Sequence, residues 1–172
     1  MQLATIPNLM PAIPEIVLAV ASLVLLMLGV FMRSSNIART ISYACIILLI
    51  VTIPLMFLST NGPVVTFGGV FIVNEFTIFI KSFVLLSAAS IILISKDYRE
   101  LQSIDFFEFP LLIVLATLGM MLMVSANDFL GLYLGIELQS LSLYVIAAFQ
   151  KDSARSAEAG LKYFVLGALS SG

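Results

Sequence analysis

The sequence predicts an all-α fold, a polytopic bundle of about six transmembrane helices. Two numbers and one pattern carry that expectation. Of the 172 residues 61% are hydrophobic and 10% are charged, and the mean hydropathy is +1.16. Apolar runs of near-spanning length then recur along the chain, separated by short polar connections. A soluble chain carries about a quarter charged residues and no more than about half apolar ones, so lipid is the solvent this composition suits. The formal charge of −2 gives no footing for nucleic acid or another strongly charged partner.

Crossing about 30 Å of hydrocarbon takes about 20 helical residues, and that length picks out the elements in order. The first helix is expected over 13–32, entered through Pro11 and Pro14. The leading segment lacks a basic stretch and a small-residue cleavage site, so it does not read as a removable signal peptide. The second is expected over 37–58 with Pro54 near its far end, tolerable because membrane helices re-satisfy the freed carbonyl locally. Residues 59–63 read as a turn, and 64–73 as two short apolar strands around Gly68-Gly69, a surface hairpin. Helices follow over 74–95, 109–126, 129–149 and 156–172. The last rises only about 24 Å and would leave open carbonyls in lipid, so it is expected to be truncated from a longer helix.

Lysine and arginine set the topology. Arg33 and Arg39 follow the first helix, Lys96 and Arg99 the third, and Lys151 and Arg155 the fifth. Short basic loops face the cytoplasm or matrix. The connections at 59–73 and 127–128 hold no lysine or arginine, which puts them and the N-terminus on the opposite, periplasmic or intermembrane side.

There is no histidine, and Cys45 is the single cysteine, inside an apolar run. Ligand sets for haem, iron–sulfur clusters or zinc are therefore missing. Redox chemistry has to lie elsewhere, and Cys45 reads as a small packing hydrophobe.

Function in such a bundle is sought in the ionisable groups that lipid packing alone would not retain. Glu137 lies about 12 Å into the fifth helix, where a carboxylate costs roughly 2.5–3.5 kcal/mol on insertion scales. Helical periodicity puts Tyr133, Glu137, Ser140 and Tyr144 on one stripe, a wettable path, and Gly131 and Gly135 on the other side with Gln139 and Ser142, a face suited to close helix packing. Glu137 reads either as a proton-handling acid or as a fixed ion pair. A movable lysine beside a buried acid would switch its hold on a proton, a physical means of pumping. Lys162 follows Glu158 in the favourable i, i+4 order, and the two form either a second proton-handling group or an interfacial anchor. Lys81 is expected to snorkel or to pair locally with Glu75. Glu15 and Glu108 begin helices, where the dipole accommodates a carboxylate with no further role.

The stretch 107–171 resembles the subunit N family of respiratory NADH:quinone oxidoreductase, complex I, whose mitochondrial counterpart is NADH dehydrogenase chain 2. Its most specific pieces are LATLGMM at 115–121, SANDFLGLYLGIELQSLSLYVIAAF at 125–149 and AGLKYFVLGALSSG at 159–172. The preceding helices fit as well, so the likeness covers essentially the whole chain as an N-terminal portion. The resemblance implies an antiporter-like subunit of about 14 helices with inverted repeats, each forming half of a proton path. It places the proton-path glutamate at Glu137 and a helix-six lysine at Lys162, with Glu158 nearby in support; Tyr144 supports Glu137 only through the shared stripe. It further implies a translocase subunit with no redox centre of its own, in a bacterial plasma membrane or mitochondrial inner membrane. NADH, FMN, iron–sulfur clusters and quinone would be handled by other subunits, and the neighbours would be other membrane subunits and the lipid bilayer. Further lysines of the proton path would lie in later helices, absent from these 172 residues. A cation/proton antiporter or membrane hydrogenase subunit, or a passive assembly subunit, is the alternative reading.

Overall fold

The computed structural model describes residues 8–32, 37–59, 62–101, 106–150 and 152–171. Arg33 and Lys151, part of the expected 59–63 turn, and Gly172 lie outside the described residues. The chain forms a bundle of helices α1 (Ile13–Phe31), α2 (Ile37–Ser59), α3 (Glu75–Leu101), α4 (Glu108–Ser125), α5 (Phe129–Ala147) and α6 (Ala154–Ser171), with one hairpin between α2 and α3. Five helices among the described residues are long and apolar enough to cross a membrane. α6 does not reach that mark, against the expectation of six, because Arg155, Glu158 and Lys162 all fall within its 18 residues.

Local chemistry explains where the helices begin and end. Pro14 stands in the first turn of α1, where its missing N–H is not needed. The Asp128 carboxylate accepts from the Gly131 amide at 3.0 Å and caps α5, so three residues, Ala126, Asn127 and Asp128, suffice to turn the chain between α4 and α5. The Ser153 hydroxyl accepts from the Ser156 amide, starting α6 two residues before the expected position. α3 runs on to Leu101 instead of stopping at 95, because good helix formers such as Lys96 and Glu100 extend it beyond the apolar span. Lys96 reaches back to α2, donating to the Tyr43 hydroxyl at 3.2 Å with its ammonium 5.3 Å from the ring centre.

α4 is the central element, in contact with α1, α2, α3 and α5. Its Leu111, Val114, Leu118 and Met121 meet Leu18 of α1, Cys45 and Leu49 of α2, and Leu85 and Ile92 of α3 in one buried cluster. Cys45 is free and buried there, as expected. Hydroxyls inside the bundle donate back to their own helices: Thr52 to the Leu48 carbonyl, Thr117 to Ile113 and Ser142 to Leu138, at 2.7–2.9 Å. In hydrocarbon this local bond removes the penalty of an unpaired polar group.

The expected hairpin forms. β1 (Val64–Thr66) pairs antiparallel with β2 (Phe71–Val73), in the register Val64↔Val73 and Thr66↔Phe71. The backbone between them takes positive φ at Phe67, Gly68 and Gly69, which glycine permits freely and phenylalanine rarely adopts. It is less a surface feature than a lid. Phe71 and Val73 are buried with Ala12 beneath it. Thr66 donates to the Asn8 carbonyl at 2.8 Å, and Asn127 bonds the hairpin through its amide to Val70 (2.8 Å) and its side chain to Gly69 (2.7 Å).

α4 and α5 cross at glycines. A methyl group on Gly119 would lie 2.7 Å from the Gln139 nitrogen and 2.8 Å from the Gly135 carbonyl oxygen, both fixed backbone atoms. One on Gly135 would lie 3.0 Å from the Gly119 carbonyl. Gly119→Ala is therefore expected to destabilise the chain by about 1–3 kcal/mol through overpacking, read as a lower thermal midpoint in detergent. An unchanged midpoint would mean that the two backbones are free to part.

Candidate functional site

α5 turns two unlike faces in two directions, and α4 decides which. Because Gly135 is seated on Gly119 and Met123 of α4, and Gly131 on the same side lies against Ala126 and Val70, the stripe of Tyr133, Glu137, Ser140 and Tyr144 is carried to the far side of the helix. Glu137 sits near the middle of α5 and is half-buried. Among the described residues no hydrogen bond or ion pair reaches its carboxylate.

α6 lies along that same side. The Tyr144 ring meets Tyr163 edge-on at 5.0 Å and Phe164 at 5.8 Å, and a methyl group on Gly167 would collide with the Tyr144 hydroxyl. Gly160 abuts Ala148, and the Ser156 hydroxyl donates to the Ala147 carbonyl at 3.0 Å. These contacts set α6 antiparallel on α5, in a register that brings the last turn of α6 level with Glu137. Tyr144 is thus a packing residue of the α5–α6 contact, and the far end of the expected wettable path is covered by aromatic rings.

Lys162 and Glu158 do form the ion pair that their spacing suggested, Nζ to Oε1 at 2.6 Å. They lie two residues from Gly160, about 160–200° around α6 from the face that meets α5. Both side chains are largely exposed, at 70% and 63%. The structure therefore does not bring Lys162 to Glu137. It brings together a different acid and base.

Glu15 at the start of α1 and Lys81 of α3, 66 residues apart, form a buried ion pair, with 4% and 2% of their side chains exposed. The Lys81 ammonium also lies 5.0 Å from the centre of the Phe71 ring, under the hairpin. This corrects two expectations. Lys81 does not snorkel and does not pair with Glu75, because six residues along a helix leave the two side chains about 120° apart. Glu15 does more than face a helix dipole. The sequence held one usable signal, two opposite charges just inside helices that start on the same side of the membrane; nothing local told that the starts of α1 and α3 face each other across the bundle, between α2 and α4. Glu108 begins α4 as expected.

Removing one partner of a buried pair leaves an uncompensated charge, at a cost of about 3–5 kcal/mol. Lys81→Met is expected to lower stability by that amount in a denaturation measurement. The neutral double variant, Glu15→Gln with Lys81→Met, should recover much of the loss; if it were no more stable than the single one, the pairing would carry no energetic weight.

Comparison with known proteins adds to this geometry. Residues 126–172 match the family described as NADH:quinone oxidoreductase/Mrp antiporter, TM. Over nearly its whole length the chain is similar to proteins named NADH-quinone oxidoreductase subunit N. It is 51% identical to that of Parvibaculum lavamentivorans over 99% of this chain and 35% of the relative. The figures are 48% for Paramagnetospirillum magneticum, over 96% and 34%, and 50% for Rhodospirillum rubrum, over 94% and 34%. The chain spans about a third of the length of the curated relatives it matches.

Proposed function

We infer that this chain, which belongs to the family of NADH-quinone oxidoreductase subunit N, forms part of a proton path in the membrane arm of such a complex. The single observation that carries the reading is Glu137: an acid in the middle of a membrane helix, turned away from the tight α4 contact and toward the side that α6 approaches. A carboxylate at that depth is retained where it pairs, meets water or carries a proton. A fixed pair would hold it in one state, whereas water, a proton or a movable partner lets it change state during turnover.

The residues divide into roles on this reading. Glu137 takes up and releases the proton. Gly119 and Gly135 hold α5 against α4 so that the carboxylate keeps its direction, which makes them positioning residues. Tyr144 closes the path on the cytoplasmic side by stacking on Tyr163 and Phe164. Lys162, held by Glu158, is a charge that a neighbouring helix or subunit could draw away, and its part in the relay is secondary. The chain itself has no redox role, which suits a sequence without histidine and with one buried cysteine. Electrons from NADH would pass through flavin and iron–sulfur clusters to quinone in partner subunits. The N-terminus would face the periplasmic side of the bacterial inner membrane, or the equivalent side of the mitochondrial one, as the distribution of arginine and lysine supports.

The test is proton uptake by inverted vesicles carrying the full complex with Glu137→Gln. NADH oxidation by the assembled complex should persist at least in part while the number of protons moved per NADH falls sharply. Lys162→Met should lower it less. Full proton uptake by a normally assembled Glu137→Gln complex would remove the proton role and leave a scaffold.

A further inference from the structure

Beneath the hairpin lies a second acid whose hydrogen-bonding capacity is not used up. Glu15 gives one carboxylate oxygen, Oε1, to Lys81, whereas Oε2 is buried with no partner among the described residues. The Ser125 hydroxyl, next to the Ala126 that bridges Phe71, is likewise buried and unpartnered. Lys81 carries three N–H donors; one meets Glu15, and the Phe71 ring takes the adjoining face of the cation at 5.0 Å. A buried carboxylate oxygen left bare costs more than most single contacts return, and the usual remedy is a bound water with two to four polar partners.

Among the described residues no other charge is placed to meet that need. Around the pair, the hairpin and the outer halves of α2 and α4 contribute no ionisable side chain. Glu75 is exposed on a different face of α3, and Asp128 is engaged in capping α5. Cys45 lies in the apolar cluster of the bundle.

We propose that Glu15 and Lys81 form a buried water-binding site under the hairpin, and that the Glu15 carboxylate exchanges a proton with the outer aqueous phase through that water, as a second proton-handling point besides Glu137. In uptake, one proton from the water chain adds to Oε2 while the ammonium keeps all three of its own, so the pair passes from zero net charge to a single positive one. Release is the reverse. The hairpin determines access: its Asn127 and Asn8 anchors sit at the surface over the apolar layer of Phe71, Val73 and Ala12. This role rests on the proton-path reading given above, but the site itself does not.

The experiment has two arms, both on the intact complex. A density map sharp enough to show ordered water should reveal a water within hydrogen-bonding reach of Glu15 Oε2. The neutral pair, Glu15→Gln with Lys81→Met, avoids a stranded charge and should assemble, yet lose more than half of the protons moved per NADH oxidised. A purely structural clamp would move assembly and leave that ratio alone. The inference is overturned if Oε2 is bonded to a protein donor in a dry site, or if the assembled double variant keeps the full ratio. Loss of pumping in Glu137→Gln together with a full ratio in the double variant would remove this site and keep the proposed function.

Discussion

Everything in this bundle depends on the rule that a polar group in hydrocarbon must find its partner within the protein. Buried hydroxyls of α2, α4 and α5 solve it by bonding back to their own helix. Helix ends solve it with caps at Asp128 and Ser153. The one buried lysine among the described residues solves it across the bundle, by meeting Glu15. That pair is the costliest part of the solution, and it ties the start of α1 to the start of α3 across the bundle, between α2 and α4.

The same constraint gives α5 its orientation. Without a hydrophobic drive between helices in lipid, close approach of backbones supplies much of the attraction. Gly119 and Gly135 permit that approach at one place along α4 and α5. Once the small-residue side is committed to α4, Glu137 has to point elsewhere, toward the flank where Tyr144 holds α6. Packing thereby positions an ionisable group that packing alone has no use for.

The hairpin shows how a short, locally coded element acquires a second purpose. Its strands and glycines suffice to turn the chain, and they were legible as such. Its contacts with Asn8, Asn127 and Lys81 close the end of the bundle over the ion pair. None of these partners is near it in sequence except Lys81.

What the sequence determined by itself is what hydropathy and helical period encode: the membrane-spanning helices, the hairpin, the two faces of α5, the mid-helix depth of Glu137 and the Glu158–Lys162 pair. These are short-range properties, set by residues within a few turns of one another. What only the tertiary structure decided is which elements meet: Glu15 with Lys81, Gly119 with Gly135, and Tyr144 with α6 in place of open water. Lipid-facing and core-facing residues are equally apolar, so the hydropathy pattern that reveals a membrane helix carries almost no record of which neighbour it packs against.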